Sequence, residues 1–167
     1  IYSDNVTQSA NSEVSDTETR VTLSVQHRSD PGRCVSETGG SLGYGVWADS
    51  TYDPETYADL AFSGLCELRP GLSWQLSDTL SQVQQDSRGT DTPDNRTLKN
   101  VFRTGPQYVI PISSRDQISL SINYENTEFR EPEETDSERY IGSAGWNHLF
   151  NSTLSGGISF TVDRAEL

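Results

Sequence analysis

The chain has 167 residues, with 12 basic against 25 acidic side chains, a net charge of −13, two Cys and no Met. That length suits one ordinary domain, and the charge argues against a nucleic-acid-binding surface, which needs clustered basic residues. Only 32% of residues are apolar, and the mean hydropathy of −0.65 is that of a very polar chain. No run approaches the ~20 apolar residues of a membrane helix. A transmembrane β-strand is not excluded, because only alternate residues must be apolar.

In chain order the apolar residues recur with period two, the mark of a strand with one apolar face. A short strand is expected around residues 2–8. Val21, Leu23 and Val25 then oppose Thr22, Ser24 and Gln26. Leu42, Tyr44 and Val46 alternate with Gly43, Gly45 and Trp47, and Leu60, Phe62, Gly64 and Leu68 oppose Asp59, Ser63 and Glu67. Leu72, Trp74 and Leu76 follow, then Phe102, Pro106, Tyr108, Ile110 and Ile112, then Ile118, Leu120, Ile122 and Tyr124. Tyr140, Gly142, Ala144, Trp146 and Phe150 form the eighth face, and Leu154, Ile158, Phe160 and Val162 the ninth. No segment has a helical period, so the expected fold is all-β: one domain, 1–167, an antiparallel up-and-down meander of about nine strands.

The links sharpen the expectation. Asp30-Pro31-Gly32-Arg33, Arg69-Pro70-Gly71, Ser113-Ser114-Arg115-Asp116 and Asn151-Ser152 are tight-turn sequences. They alternate with longer acidic links at roughly 9–19, 49–55, 83–98 and 129–137. A meander then collects the tight turns at one end and the long links at the other, as in outer-membrane barrels. The long links carry −10 of the net −13.

The polar face is rich in Ser, Thr, Gln, Asn and Gly, as a wet lumen would be. Aromatics gather toward strand ends (Tyr44, Trp47, Trp74, Trp146, Phe150), like interfacial girdles. So few apolar residues could hardly fill a sandwich core. The pattern therefore favours part of a transmembrane β-barrel over a soluble sandwich or a fibre module. Arg103, Glu125, Arg139, Asp59 and Glu67 are the expected lumen-facing charges. Cys34 and Cys66 have the same parity and lie near-opposite if the chain folds back around residues 50–51, so a disulfide at the tight-turn end is expected, with two small buried thiols as the alternative. An oxidised pair would imply a periplasmic or external location.

Four stretches carry a family resemblance: Tyr2-Ser3-Asp4-Asn5-Val6, Leu72-Ser73-Trp74-Gln75-Leu76-Ser77-Asp78-Thr79, Asn100-Val101-Phe102-Arg103-Thr104-Gly105-Pro106, and Asp136-Ser137-Glu138-Arg139-Tyr140 through Trp146. In this order the chain resembles the outer-membrane β-barrel proteins of exosortase (PEP-CTERM) and exopolysaccharide systems, grouped with β-barrel porins. The resemblance implies a Gram-negative outer-membrane location and a link to surface polysaccharide, with no catalytic residues to carry over. Members of that family are about twice as long or more. The start at Ile1, the odd strand count and an ending on Asp163-Arg164-Ala165-Glu166-Leu167 without a terminal aromatic suggest the N-terminal part of a larger barrel, or closure with other chains. Left alone, the first and last strands would be open edges, forbidden in lipid and sticky in water.

No catalytic constellation stands out. There is no Gly-x-Ser-x-Gly elbow and no strand–turn–helix context for Gly39-Gly40-Ser41-Leu42-Gly43. His27 and His148 fall on the apolar side near strand ends, the position of half-wet interfacial rings. Glu131, Glu133, Glu134 and Asp136 are a weak Ca²⁺ candidate without the Gly and ligand spacing of a dedicated loop, and a solvated acidic link is the plainer reading. No cofactor is expected. The expected partners are outer-membrane lipid and a polysaccharide or small hydrophilic solute, with self-association into a homo-oligomer. The competing expectation is a self-assembling extracellular β-rich subunit of a tube or fibre.

Overall fold

The computed structural model describes residues 1–8, 13–130 and 135–167. The strands are β1 (Tyr2–Ser3), β2 (Asp16–Arg28), β3 (Cys34–Trp47), β4 (Glu55–Arg69), β5 (Leu72–Gln84), β6 (Arg96–Pro111), β7 (Asp116–Phe129), β8 (Ser137–Leu149) and β9 (Ser155–Glu166). They form one antiparallel sheet in sequence order, the meander the turn pattern requires. The sheet does not close on itself: β1 pairs only with β2, and β9 only with β8.

Two expectations need correction. The first strand is a two-residue bridge, Tyr2 to Thr17 and Ser3 to Asp16, rather than a strand through residue 8. Nine is therefore an odd count only because that bridge is included; the eight other strands run 12 to 16 residues. The boundaries of the long links also move. Asp16 and Glu18 belong to β2, Glu55 opens β4 and Arg96 opens β6. Polar residues continue these strands past their apolar stretch, so hydropathy alone places the ends too early.

Register explains the tight turns. Arg69-Pro70-Gly71-Leu72 bends with Gly71 at φ +81°, and a Cβ there would lie 2.3 Å from the Val109 carbonyl oxygen. Pro before such a Gly presets the turn, and Gly tolerates the positive φ. Gly40, in mid-β3, has φ +147°, and a Cβ would meet the Asp59 carbonyl oxygen at 2.0 Å, so only Gly lets β3 approach β4 there. In β6 the ladder to β7 skips Gly105 and Pro106, as expected where Pro lacks the N–H.

One face of the sheet is apolar from β2 to β9. Pairing carries Val21 to Tyr44, Leu23 to Leu42, Leu60 to Leu80, Tyr108 to Leu120, Ile118 to Trp146 and Ile158 back to Trp146. This belt runs obliquely to the rungs. The rung through Phe62 passes Asp78 and Phe102, then leaves the belt at Asn126, Glu138 and Glu166. Polar residues interrupt the belt at Asp78, Asn100 and Thr104, and the Asp78 carboxylate accepts a hydrogen bond from Asn100 Nδ2 at 2.8 Å.

Burial is inverted relative to a soluble sheet at the long-link end of β3 and on β7 and β8, but not on β4, where Asp59, Ser63 and Glu67 are exposed and Leu60 and Phe62 are half-buried. Among the described residues only Val6 and Ala58 are buried apolar side chains, whereas Glu18, Thr97, Glu125 and Thr127 are buried on the polar side. On β7 alone, Glu125 is 6% exposed and Ile122, facing the other way, 64%. Leu23, Ile158, Phe160 and Val162 stand out from the same apolar face.

Candidate functional site

The polar side of β3–β6 forms a trough. Its tight-turn end is a cavity of about 630 Å³ lined by Arg28, Glu37, Ser63, Gln75, Ser77 and Arg103. It continues into one of about 560 Å³ past Ser41, Asp59, Ala61 and Thr79. These side chains have the parity of the polar face, but Val35 and Leu65 share it, and with Pro31 and Leu76 they make much of the first cavity's wall apolar. Asp59 lies exposed in the trough, opposite Ser41 and Ser81. Glu67 is exposed at the tight-turn end opposite Ser73, and the strand register shifts just beyond it.

Arg103, Glu125 and Arg139, expected separately from their parity, sit on adjacent strands as one ladder. Arg103 pairs in register with Glu125, and Glu125 with Arg139. Arg103 Nε donates to Glu125 Oε2 at 2.9 Å, and Arg139 Nη1 lies 3.6 Å from Glu125 Oε1. Arg139 Nη2 continues the ladder to Asp163 on β9. Asp163, opposite in parity to Ile158, Phe160 and Val162, was not among the expected lumen-facing charges. Its parity was visible; its adjacency to Arg139 required the register. The ladder holds two guanidiniums and two carboxylates, so it lines the polar side with alternating charge and no net charge. Glu125 is the buried member, while Arg103 and Arg139 keep roughly half-exposed side chains.

The long-link end has its own polar cluster. Glu18 and Arg20 form a bidentate pair at 2.9 and 2.8 Å, and the Arg20 guanidinium lies 3.5 Å over the Tyr57 ring. Asp16 Oδ1 accepts from the Thr17 and Asp49 N–H groups, and Oδ2 from the Thr51 N–H at 3.2 Å. One buried carboxylate thereby pins the β3–β4 link to the start of β2. In that link, burial first and the Asp94 charge second raise the Tyr52 phenol above its ordinary pKa, opposed by a hydrogen bond with Thr92. In the β5–β6 link the Arg96 hydrogen bond holds the Asp91 carboxyl below its ordinary value, against a smaller effect of burial.

Cys34 and Cys66 are directly paired across β3 and β4 and joined in a disulfide, at the tight-turn end as expected. The bridge closes a separation of 32 residues, which restricts the unfolded chain by about 2–4 kcal/mol in the loop-entropy account.

The aromatics fall into two groups. Trp74, Trp146, His148 and Phe150 lie at the tight-turn end, with ring centroids 5.8 Å apart for Trp146–His148 and 4.7 Å for His148–Phe150. Tyr44, Tyr124 and Tyr140 lie toward the other end, Tyr124 and Tyr140 being 5.3 Å apart. His148 has the half-wet position expected of it, its Nδ1 2.7 Å from Asp116 Oδ1. Trp47 is a correction. It pairs with Glu18 on the polar side and packs edge-on against Tyr52 at 5.4 Å, so it belongs to the link cluster rather than the girdle.

Of the Ca²⁺ candidates, Glu131, Glu133 and Glu134 lie outside the described residues, and Asp136 Oδ1 accepts the Phe129 N–H at 2.9 Å. Among the described residues no three His, Cys, Asp or Glu side chains converge on a metal position. Comparison of the chain with protein-family models, with curated proteins and with solved structures gives no match.

Proposed function

We propose that this chain is wall from a Gram-negative outer-membrane β-barrel, porin-like or associated with export of surface polysaccharide, and non-catalytic. The observation that carries the reading is the inverted burial of β7, with a carboxylate sheltered on one face and Ile122 bare on the other. In water that arrangement exposes apolar surface far beyond what a soluble monomer tolerates. In a bilayer it is the ordinary alternation, apolar toward lipid and polar toward a lumen. Strands of 12 to 16 residues exceed the ~9–11 needed to cross. The oblique belt, the two aromatic groups and a disulfide suited to an oxidising compartment support the same reading. So does the family resemblance of the four sequence stretches, which is the source of the polysaccharide link. On this reading the acidic links face outward and the trough passes or docks a hydrophilic solute.

Native protein extracted in detergent and reconstituted into planar bilayers tests the reading. Discrete conductance steps are expected, with ion selectivity altered by Arg103→Ala or Arg139→Ala. Folded, inserted protein that never conducts would remove the conduit.

A second reading, a self-assembling extracellular subunit, rests on the open edges. From β2 to β9 each strand reverses the last, so the β2 and β9 edges run in opposite directions and could pair between copies in antiparallel fashion. Ordered assemblies without detergent would favour it.

A further inference from the structure

On the apolar face, side chains at or near mid-strand are hydrocarbon over most of the wall: Leu23 on β2, Leu42 on β3, Phe62 on β4, Ile122 on β7, Ala144 on β8 and Phe160 on β9. On β5 the middle residue is Asp78. Its neighbours on that face are Leu76 and Leu80 along the strand, and Phe62 and Phe102 across it. Thr104, near the middle of β6, is satisfied within the sheet: its Oγ1 accepts from Trp74 Nε1 at 2.8 Å and donates to the Gln75 carbonyl at 3.0 Å. Asp78 is less well provided. Asn100 Nδ2 donates to Oδ1 at 2.8 Å, whereas an ionised carboxylate has two oxygens and about four acceptor sites. Asp78 and Asn100 are only half-buried, so both remain open to a partner outside the sheet.

A carboxylate facing hydrocarbon at mid-span is costly, and ionisable residues at that depth mark contacts or function rather than contact with lipid. Acyl chains donate no hydrogen bond, and headgroups lie too far from mid-span to reach it. The donor that Asp78 lacks must come from another protein surface, and Asn100 is a donor on this same face. The surface beside it is also low. The Phe62 ring folds over Gly64, where a Cβ would lie 3.3 Å from Phe62 Cζ. Interfaces inside membranes use this combination, close approach over small residues with polar side chains bonding across.

We propose that the apolar face of β5 and β6 is a contact between two copies of this protein, with Asp78 of each copy accepting a hydrogen bond from Asn100 of the other. The proposal rests on the membrane-wall reading. A two-fold axis running up the wall between β5 and β6 sets β5 of each copy across from β6 of the other, so the contact is made twice. Donor and acceptor on adjacent strands are the arrangement this symmetry needs. Asn100 Nδ2 carries two hydrogens, one for its own Asp78 and one for the Asp78 of the second copy. The contact uses a face of the sheet and leaves the β2 and β9 edges to complete each wall.

The test combines native mass spectrometry of the detergent-solubilised full-length protein with thiol cross-linking in its own membrane. Cys34 and Cys66 are bonded to each other and do not compete with an introduced thiol. A complex of twice the chain's own intact mass is expected. A short bis-maleimide should link Phe102→Cys to a second copy and leave Ile122→Cys, on β7, unlinked. Asp78→Val/Asn100→Val should raise the dimer dissociation constant about tenfold, the effect of two lost hydrogen bonds, and should still insert because both changes extend the apolar belt. Asp78→Asn, which keeps an acceptor, should still dimerise. Monomers or trimers, dimers unaffected by the double variant, or cross-links from position 102 to a different protein alone would overturn the contact and leave the wall reading standing. Folded protein that is soluble without detergent would overturn the wall reading, and the contact with it.

Discussion

Glu125 is nearly sealed on the polar side of β7, and it is held from two sides. Arg103 Nε approaches one oxygen at 2.9 Å, while Arg139 reaches the other at 3.6 Å. The two contacts are unequal, so their removal should be unequal too. Arg103→Ala leaves a buried carboxylate with only the longer contact, which costs more than the net value of the pair because desolvation is no longer offset. A loss of about 1–3 kcal/mol is expected, the lower part of the range applying because Arg103 itself is half exposed. Arg103→Ala/Glu125→Gln should recover much of it, since the orphaned charge is gone. Denaturant midpoints of the two variants check this: equal midpoints would mean that Glu125 is hydrated in solution and the ladder adds nothing to stability.

At the scale of the strand, the two faces make opposite demands, and neighbouring positions on β7 separate them. Ile122 stands out from the apolar face, and Asn123 points to the polar side, where its Oδ1 accepts from Gln75 Nε2. Ile122→Lys should hinder membrane insertion by about 2–4 kcal/mol, the cost of a lipid-facing Lys near the midplane. Asn123→Lys should insert normally and shift ion selectivity. In a water-soluble assembly the order would invert, Ile122→Lys improving solubility, so folding yield into lipid vesicles decides between them. The parity behind this contrast was legible in the sequence, because a period of two survives wherever one face is apolar. The strand ends were not. Asp16, Glu18, Glu55 and Arg96 continue the hydrogen-bonded ladder beyond the belt, and nothing in their polarity distinguishes them from loop. The ladder lies between these cases: Arg103, Glu125 and Arg139 were each visible by parity, but their contact depends on register set by the tight turns.

For the molecule as a whole, the open edges matter most. Beyond Glu18, which exchanges backbone hydrogen bonds with Ile1, the outer edge of β2 pairs with no strand among the described residues, and β9 offers a second edge with Ile158, Phe160 and Val162 bare beside it. Unpaired N–H and C=O groups cannot face hydrocarbon, so a wall of this kind is complete only when both edges are paired. In water the same edges invite pairing with other chains. The two readings therefore agree that β9 is covered in the working protein and differ in what covers it. Intact mass of the native protein, taken from its source membrane with and without detergent, separates them. A mass well above 18.5 kDa, soluble only in detergent, is expected: further strands of one barrel then continue the sheet from β9. A mass of 18.5 kDa in detergent-free, high-order assemblies would overturn the membrane wall. The apolar belt would then be the face on which copies stack, and β9 the edge along which they join.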